Sequence, residues 1–212
     1  MVYNLGMMID LSVRLDSRTP AYPGNPQIDI RQTEYFETKG YEGHAVTLGT
    51  HTGTHIDAPA HMVPGGVKLG DIPLETFVGR GKLVETDGGQ FSLAALQNAG
   101  IAEGDIVLFH TGMDEQYYEP VYFSDYPVMG QEIADYLVRA KVKMVGVDTC
   151  SIDNAPDFPV HHTLLGNDIP IIENLTNLGT LAGRECTVYA LPLRLDLDAA
   201  PARVIAEVKQ NE

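Results

Sequence analysis

Basic residues are scarce in this chain: 14 Lys and Arg stand against 29 Asp and Glu, and the basic ones nowhere gather into a cluster. Nucleic acids and anionic membrane surfaces are recognised through such clusters, so both are poor partners for this sequence. Cysteine is scarcer still. Cys150 and Cys186 form no CxxC pair, which excludes a thiolate metal clip, and Cys150, in VDTCSID, reads as a small buried thiol at a strand end rather than a nucleophile. No stretch approaches the roughly 20 uninterrupted apolar residues of a membrane-spanning helix. The start, MVYNLGMMIDLSVRLD, lacks the basic and apolar segments of a signal peptide, so none is expected and the cytoplasm is the expected location. No repeat, low-complexity tract or linker breaks the chain, so its 212 residues, 44% of them apolar, are read as one domain over 1–212.

What stands out is HTGTHIDAPAH at 51–61, with His51, His55, Asp57 and His61 separated by small residues, Ile56 and Pro59. Gly53 and Pro59 argue against a plain helix, so the run is expected to be a compact loop or bent strand in which His55 and Asp57 face the same way. Imidazole and carboxylate suit zinc, manganese or iron. A metal held by His51, His55 and Asp57 has three protein ligands and an open position, the pattern of a catalytic site, and leaves His61 spare.

Strands are read at 8–15, 27–33, 44–49, 81–87, 105–112, 144–148, 169–172, 188–195 and 202–208, and helices at 92–100 and 131–141. The strand at 44–49 feeds into His51 and places the motif at a strand end. The turn-rich segment 16–26 carries Tyr22, which either lines a pocket or packs on a neighbouring strand. Tyr117, Tyr118, Tyr122 and Tyr126 fall in 114–127, read as a lid-like or interface loop, with simple packing as the alternative. SIDNAPDFP at 151–159 is read as turns that deliver His161 and His162, and Glu173 ends the strand at 169–172. On their own these three residues make no strong case as ligands. A helix followed at once by a strand points to a layered α/β domain.

HTGTHIDAPAH fits the pattern HxGTHxDxPxH at every fixed position, and with IPLETFVGRGKLVET at 72–86, HHTLLGNDIPIIENL at 161–175 and ALPLRL at 190–195 it resembles the metal-dependent cyclase-like hydrolases. That family includes the bacterial kynurenine formamidases and, more distantly, isatin hydrolase. The resemblance implies a swivelling β/β/α domain with a mixed sheet and flanking helices, assembled as a homodimer or larger homo-oligomer. It implies two metal ions, Zn2+ with Mn2+ as the alternative, one held by His51, His55 and Asp57 and the second by Asp57, His161 and Glu173. His161 is preferred to His162 because its interval to Glu173 resembles the family spacing. His61 then becomes the catalytic acid/base, and the implied reaction is cleavage of an aryl formamide such as N-formylkynurenine by a metal-activated water, giving formate and the aromatic amine.

The kynurenine formamidases carry a tryptophan in a PxWPGDP-like segment, where this chain reads PAYPGNP and has no tryptophan at all. Tyr22 takes that place as the residue expected to stack on an aromatic substrate. The departure keeps two rivals open: a hydrolase of cyclic amides or lactones resembling isatin hydrolase, and a metal-binding protein without turnover.

Overall fold

The computed structural model describes residues 6–86 and 88–209. Its strands are β1 (Met7–Asp10), β2 (Asp29–Glu34), β3 (Gly43–Thr47), β4 (His55–Asp57), β5 (Val78–Glu85), β6 (Ile106–His110), β7 (Met144–Val147), β8 (Ile171–Glu173), β9 (Cys186–Pro192) and β10 (Ala199–Val208). The α-helices are α1 (Phe36–Lys39), α2 (Leu93–Asn98), α3 (Val121–Ser124), α4 (Gln131–Ala140) and α5 (Pro159–Leu165).

Seven strands close into a barrel in the order β10-β4-β8-β7-β6-β5-β9, and β9 pairs back onto β10. Neighbours from β5 through β8 are parallel and the remaining pairings are antiparallel, so the architecture is α/β with a mixed sheet, as expected. Residues alternate across the wall. Ile106 and Leu108 of β6 join Ile56, Met144, Ile172, Val188 and Val204 inside the ring, while Val107 and Phe109 pack with Leu96, Ile133, Leu137 and Leu164 of the helices outside. Burial on both faces is why DIVLFHTG reads as an unbroken apolar run. Ser92 caps α2 by accepting from Ala95 N at 3.3 Å, and α4 ends on Lys141 in the left-handed region, φ 53°.

The structure departs from the sequence reading in several places. β2 and β3 form a separate two-stranded ribbon, so the strand read at 44–49 does not carry the motif at its end; the motif itself enters the barrel as β4. The strand read over 8–15 stops at Asp10; beyond it Leu11 N still donates to the Val204 carbonyl at 2.9 Å, and the Ser12 hydroxyl accepts from Val204 N at 2.7 Å. His161 and His162 lie on α5 rather than in turns: Pro159 opens this seven-residue helix at its first position, where a missing N–H costs nothing. In the segment 114–127, read as a lid-like or interface loop with packing as the alternative, Tyr117, Tyr122 and Tyr126 pack, buried around Cys150, while Tyr118 is exposed. The strand read at 81–87 ends at Glu85, and Asp87 lies outside the described residues. Among the described residues no helix is long and apolar enough to cross a membrane.

Candidate metal centre

β4 is three residues long, and its alternation decides everything that follows. Ile56 points into the barrel core, so His55 and Asp57 share the opposite face. β4 pairs antiparallel with β8 so that His55 stands directly opposite Glu173, and His55 Nε2 lies 3.4 Å from Glu173 Oε2 and 3.4 Å from Asp57 Oδ1. The other ring nitrogen, Nδ1, donates to the Gly53 carbonyl at 2.8 Å, which turns Nε2 inward. Gly53 adopts φ +64°, and a Cβ there would run into the Leu15 side chain, so glycine is required at this turn. Thr54 locks the approach by accepting from Val13 N at 2.9 Å and donating to the Asn174 carbonyl at 2.6 Å.

The helix α5 supplies the facing imidazole. Asp153 caps its first turn, with Oδ2 accepting from Val160 N at 2.7 Å and His161 N at 3.2 Å, while Oδ1 takes the His161 Nδ1 proton at 2.7 Å. His161 Nε2 is thereby aimed at Glu173 Oε1, 3.3 Å away, and at Asp57 Oδ2, 3.9 Å away. His55, Asp57, His161 and Glu173 are 1%, 1%, 3% and 5% exposed. His162, one residue along the helix, is exposed and outside the cluster.

His51 and His61 stand nearer the rim. His51 Nδ1 is 2.9 Å from Asp57 Oδ1, and its Nε2 is 2.9 Å from Asp198 Oδ2. His61 Nδ1 lies 3.2 Å from the same Asp198 oxygen, and the two rings are 4.3 Å apart. A cavity of about 310 Å³ opens above these groups, lined among others by Tyr22, Met62, Phe123 and Phe158. Tyr22 meets Phe123 edge-on at 6.2 Å. A larger groove, about 970 Å³, lies between Arg80, Lys82, Arg184 and Cys186, away from this chemistry, and holds no metal-ligating cluster among the described residues.

Both Asp57 oxygens and His55 Nε2 are buried without a hydrogen-bond partner. Orphaned buried polar atoms are costly, and here Asp57 Oδ1 sits 2.9 Å from His51 Nδ1 and 3.4 Å from His55 Nε2, and Asp57 Oδ2 3.9 Å from His161 Nε2, without meeting hydrogen-bond geometry. Donors behave this way when they converge on a common point rather than on one another. Their chemistry, imidazole and carboxylate with no thiolate, fits a divalent metal ion. Ligand atoms of His55, Asp57 and Glu173, and separately of His51, Asp57 and His61, lie within 4.8 Å of one another. The second grouping admits His61 as a ligand, against its reading as a free acid/base.

The electrostatics agree. Burial disfavours charge on every one of these groups, yet the Asp57 and Glu173 carboxylates outweigh it and hold His55 up at about 10. His161 is likewise held at about 10 against burial by Asp153 and Glu173, and His51 is raised against burial by Asp57. Asp57 falls well below the ordinary carboxylate range despite burial, through His51 and His55, and Glu173 is lowered through His161 and His55. A further grouping of His110, Asp114 and Asp148 is of another kind. Asp148 already accepts from Thr111 N, Thr111 Oγ1 and Gly112 N, and Asp114 from Thr176 Oγ1 and Asn177 N, so these carboxylates pin loops.

Sequence reasoning missed Asp153, Asn174 and Asp198. Asp153 lies eight residues before His161 in a turn-rich run, and only the helix it caps reveals its role. Asp198 shares the run LDLDAAP with Asp196, which merely pairs with Lys68 at the surface at 3.0 Å.

The family model described as "Putative cyclase" matches residues 9–154. A kynurenine formamidase of Salinibacter ruber is 32% identical over 213 residues, covering 93% of this chain and 96% of that protein. A solved structure described as a potential metal-dependent hydrolase with cyclase activity superposes with a TM-score of 0.80 at 30% identity, covering 97% of this chain and 99% of the other. Isatin hydrolase A from Labrenzia aggregata shares the fold, with a TM-score of 0.86 at 23% identity over 96% of this chain and 94% of its own. With the motif in β4 and the surrounding barrel, these likenesses show that the chain belongs to the cyclase family of metal-dependent hydrolases.

Proposed function

We propose that this protein is a metal-dependent amide hydrolase that cleaves an aryl formamide such as N-formylkynurenine to formate and the aromatic amine. One observation carries the reading: His55 Nε2 and both Asp57 oxygens are buried, orphaned and convergent beside a cavity with aromatic walls. The kynurenine formamidase relative and the metal-dependent hydrolase neighbour support the same chemistry. His51, His55 and Asp57 hold one divalent ion in this reading, and Asp57, His161 and Glu173 a second, with Zn2+ as the ion and Mn2+ as its alternative. When bound, such ions activate water and polarise a carbonyl oxygen.

The chain's own residues do the rest. Gly53 O and Asp153 orient His55 and His161 through their Nδ1 atoms, so both present Nε2. Tyr22, with Phe123 behind it, offers a stacking face for the aryl ring. Met62 and Phe158 exclude water from the same cavity. His61 takes the proton that the attacking water gives up and passes it to the departing nitrogen as the C–N bond breaks, and an aniline-type nitrogen leaves more readily than an alkyl amine. The proposal extends to a swivelling β/β/α fold and a homodimer or larger homo-oligomer, which rest on the family resemblance, and to a single domain over residues 1–212 and a cytoplasmic location, which rest on the sequence reading.

The test is metal analysis of protein purified without added metal, joined to a panel of N-formylkynurenine, formylanilide and isatin. Turnover of either formamide with bound metal supports the reading. Isatin turnover alone reassigns the protein to cyclic amides, and bound metal with no turnover makes it a binding protein.

A further inference from the structure

We infer that Asp198 is a positioning residue that sets the tautomers of two histidines at once. Its backbone is fixed first: Asp198 O accepts from Ala58 N at 2.9 Å, and the next residue, Ala199, pairs with Asp57 at the start of β10. The register that closes the barrel therefore brings this carboxylate over the motif. Its Oδ2 lies 2.9 Å from His51 Nε2 and 3.2 Å from His61 Nδ1, and a carboxylate oxygen has lone pairs for both.

The consequence differs for the two rings. On His51 the proton is held on Nε2, which leaves the Nδ1 lone pair facing Asp57 Oδ1, 2.9 Å away. On His61 the proton is held on Nδ1, which leaves Nε2 free beside the cavity that His61 lines. One carboxylate thus turns a metal-facing nitrogen and a proton-carrying nitrogen into their working states, and ties their orientations together. His55 and His161 have their own orienting acceptors in Gly53 O and Asp153, so Asp198 completes the set. Asp196, two residues earlier, provides the internal control because it meets only Lys68 at the surface.

This inference rests on the metal-hydrolase reading for its catalytic half alone. The experiment compares wild type, Asp198→Asn, Asp198→Ala and Asp196→Asn, each loaded with Zn2+. Imidazole tautomers are read by long-range ¹H–¹⁵N NMR, zinc affinity by competition with a chelator, and kcat and KM on formylanilide. Wild type is expected to show Nδ1–H at His61 and Nε2–H at His51. Asp198→Ala is expected to lose both preferences, to weaken zinc by about 10- to 100-fold, and to lower kcat by about 100-fold or more with KM nearly unchanged. Asp198→Asn, which keeps an acceptor oxygen without the charge, falls between, and Asp196→Asn matches wild type. Wild-type tautomers in Asp198→Ala overturn the inference, as does loss of one whole zinc equivalent, which makes Asp198 a ligand. A wild type with the stated tautomers that hydrolyses no formanilide removes the functional reading and leaves the positioning role standing on the NMR and zinc data.

Discussion

The deep half of the site and its rim are built on different kinds of backbone. His55, Asp57 and Glu173 sit on paired strands of a closed barrel, and His161 on a helix capped by Asp153; all four are at most 5% exposed. Tyr22, His51, His61 and Asp198 sit outside the strands and α-helices, on turns, a short 3-10 helix and connecting segments, and remain partly open. A closed sheet fixes donor atoms to within the tolerance that metal binding demands. The rim carries groups that move protons and select substrates, and loops can vary there without disturbing the donors below.

The deep half can be broken outright. Asp57→Asn is expected to strip metal from both positions and reduce turnover to background, read by elemental analysis and formate release. At the rim, His61→Ala should leave metal content intact while lowering kcat by about 100- to 10,000-fold; loss of metal in this variant makes His61 a ligand. Glu173→Gln sharpens the division within the deep half, lowering occupancy of one metal more than the other, and unchanged occupancy of both removes Glu173 from the site.

A gentler test uses protons. His55 and His161 are held at about 10, so at neutral pH the metal-free protein carries protons there that metal must displace. Loading should release protons, and apparent affinity should fall about tenfold per pH unit per proton displaced as pH drops. Calorimetry in buffers of different ionisation enthalpy measures that release, and its absence contradicts the assignment of these histidines. Smallest is Tyr22→Ala, expected to raise KM for an aryl formamide by a few-fold, on the order of 0.5–1.5 kcal/mol of lost stacking, with metal content unchanged.

The same division explains what could be read in advance. His51, His55, Asp57 and His61 are legible because eleven contiguous residues hold them, and period-two alternation alone puts His55 and Asp57 on one face. The resemblance over 161–175 points to Glu173 and His161, but the residues alone do not: Glu173 stands in the cluster through the register that sets it opposite His55, a relation between strands that no local pattern carries. His161 hides in a helix of seven residues that begins at a proline and follows a turn-rich run, too short for its period to show. Asp198 looks like its neighbour Asp196 until barrel closure carries one to the histidines and leaves the other at Lys68. The ribbon of β2 and β3 shows the limit for the fold. Its alternation was readable, but its separation from the main sheet was not.

The most direct test of the account follows formate release from N-formylkynurenine or formylanilide through removal and return of metal. The account predicts activity in the protein as purified, its loss on chelation, and its recovery when Zn2+ or Mn2+ is returned to wild type but not to Asp57→Asn. Undiminished turnover in the chelated protein contradicts it.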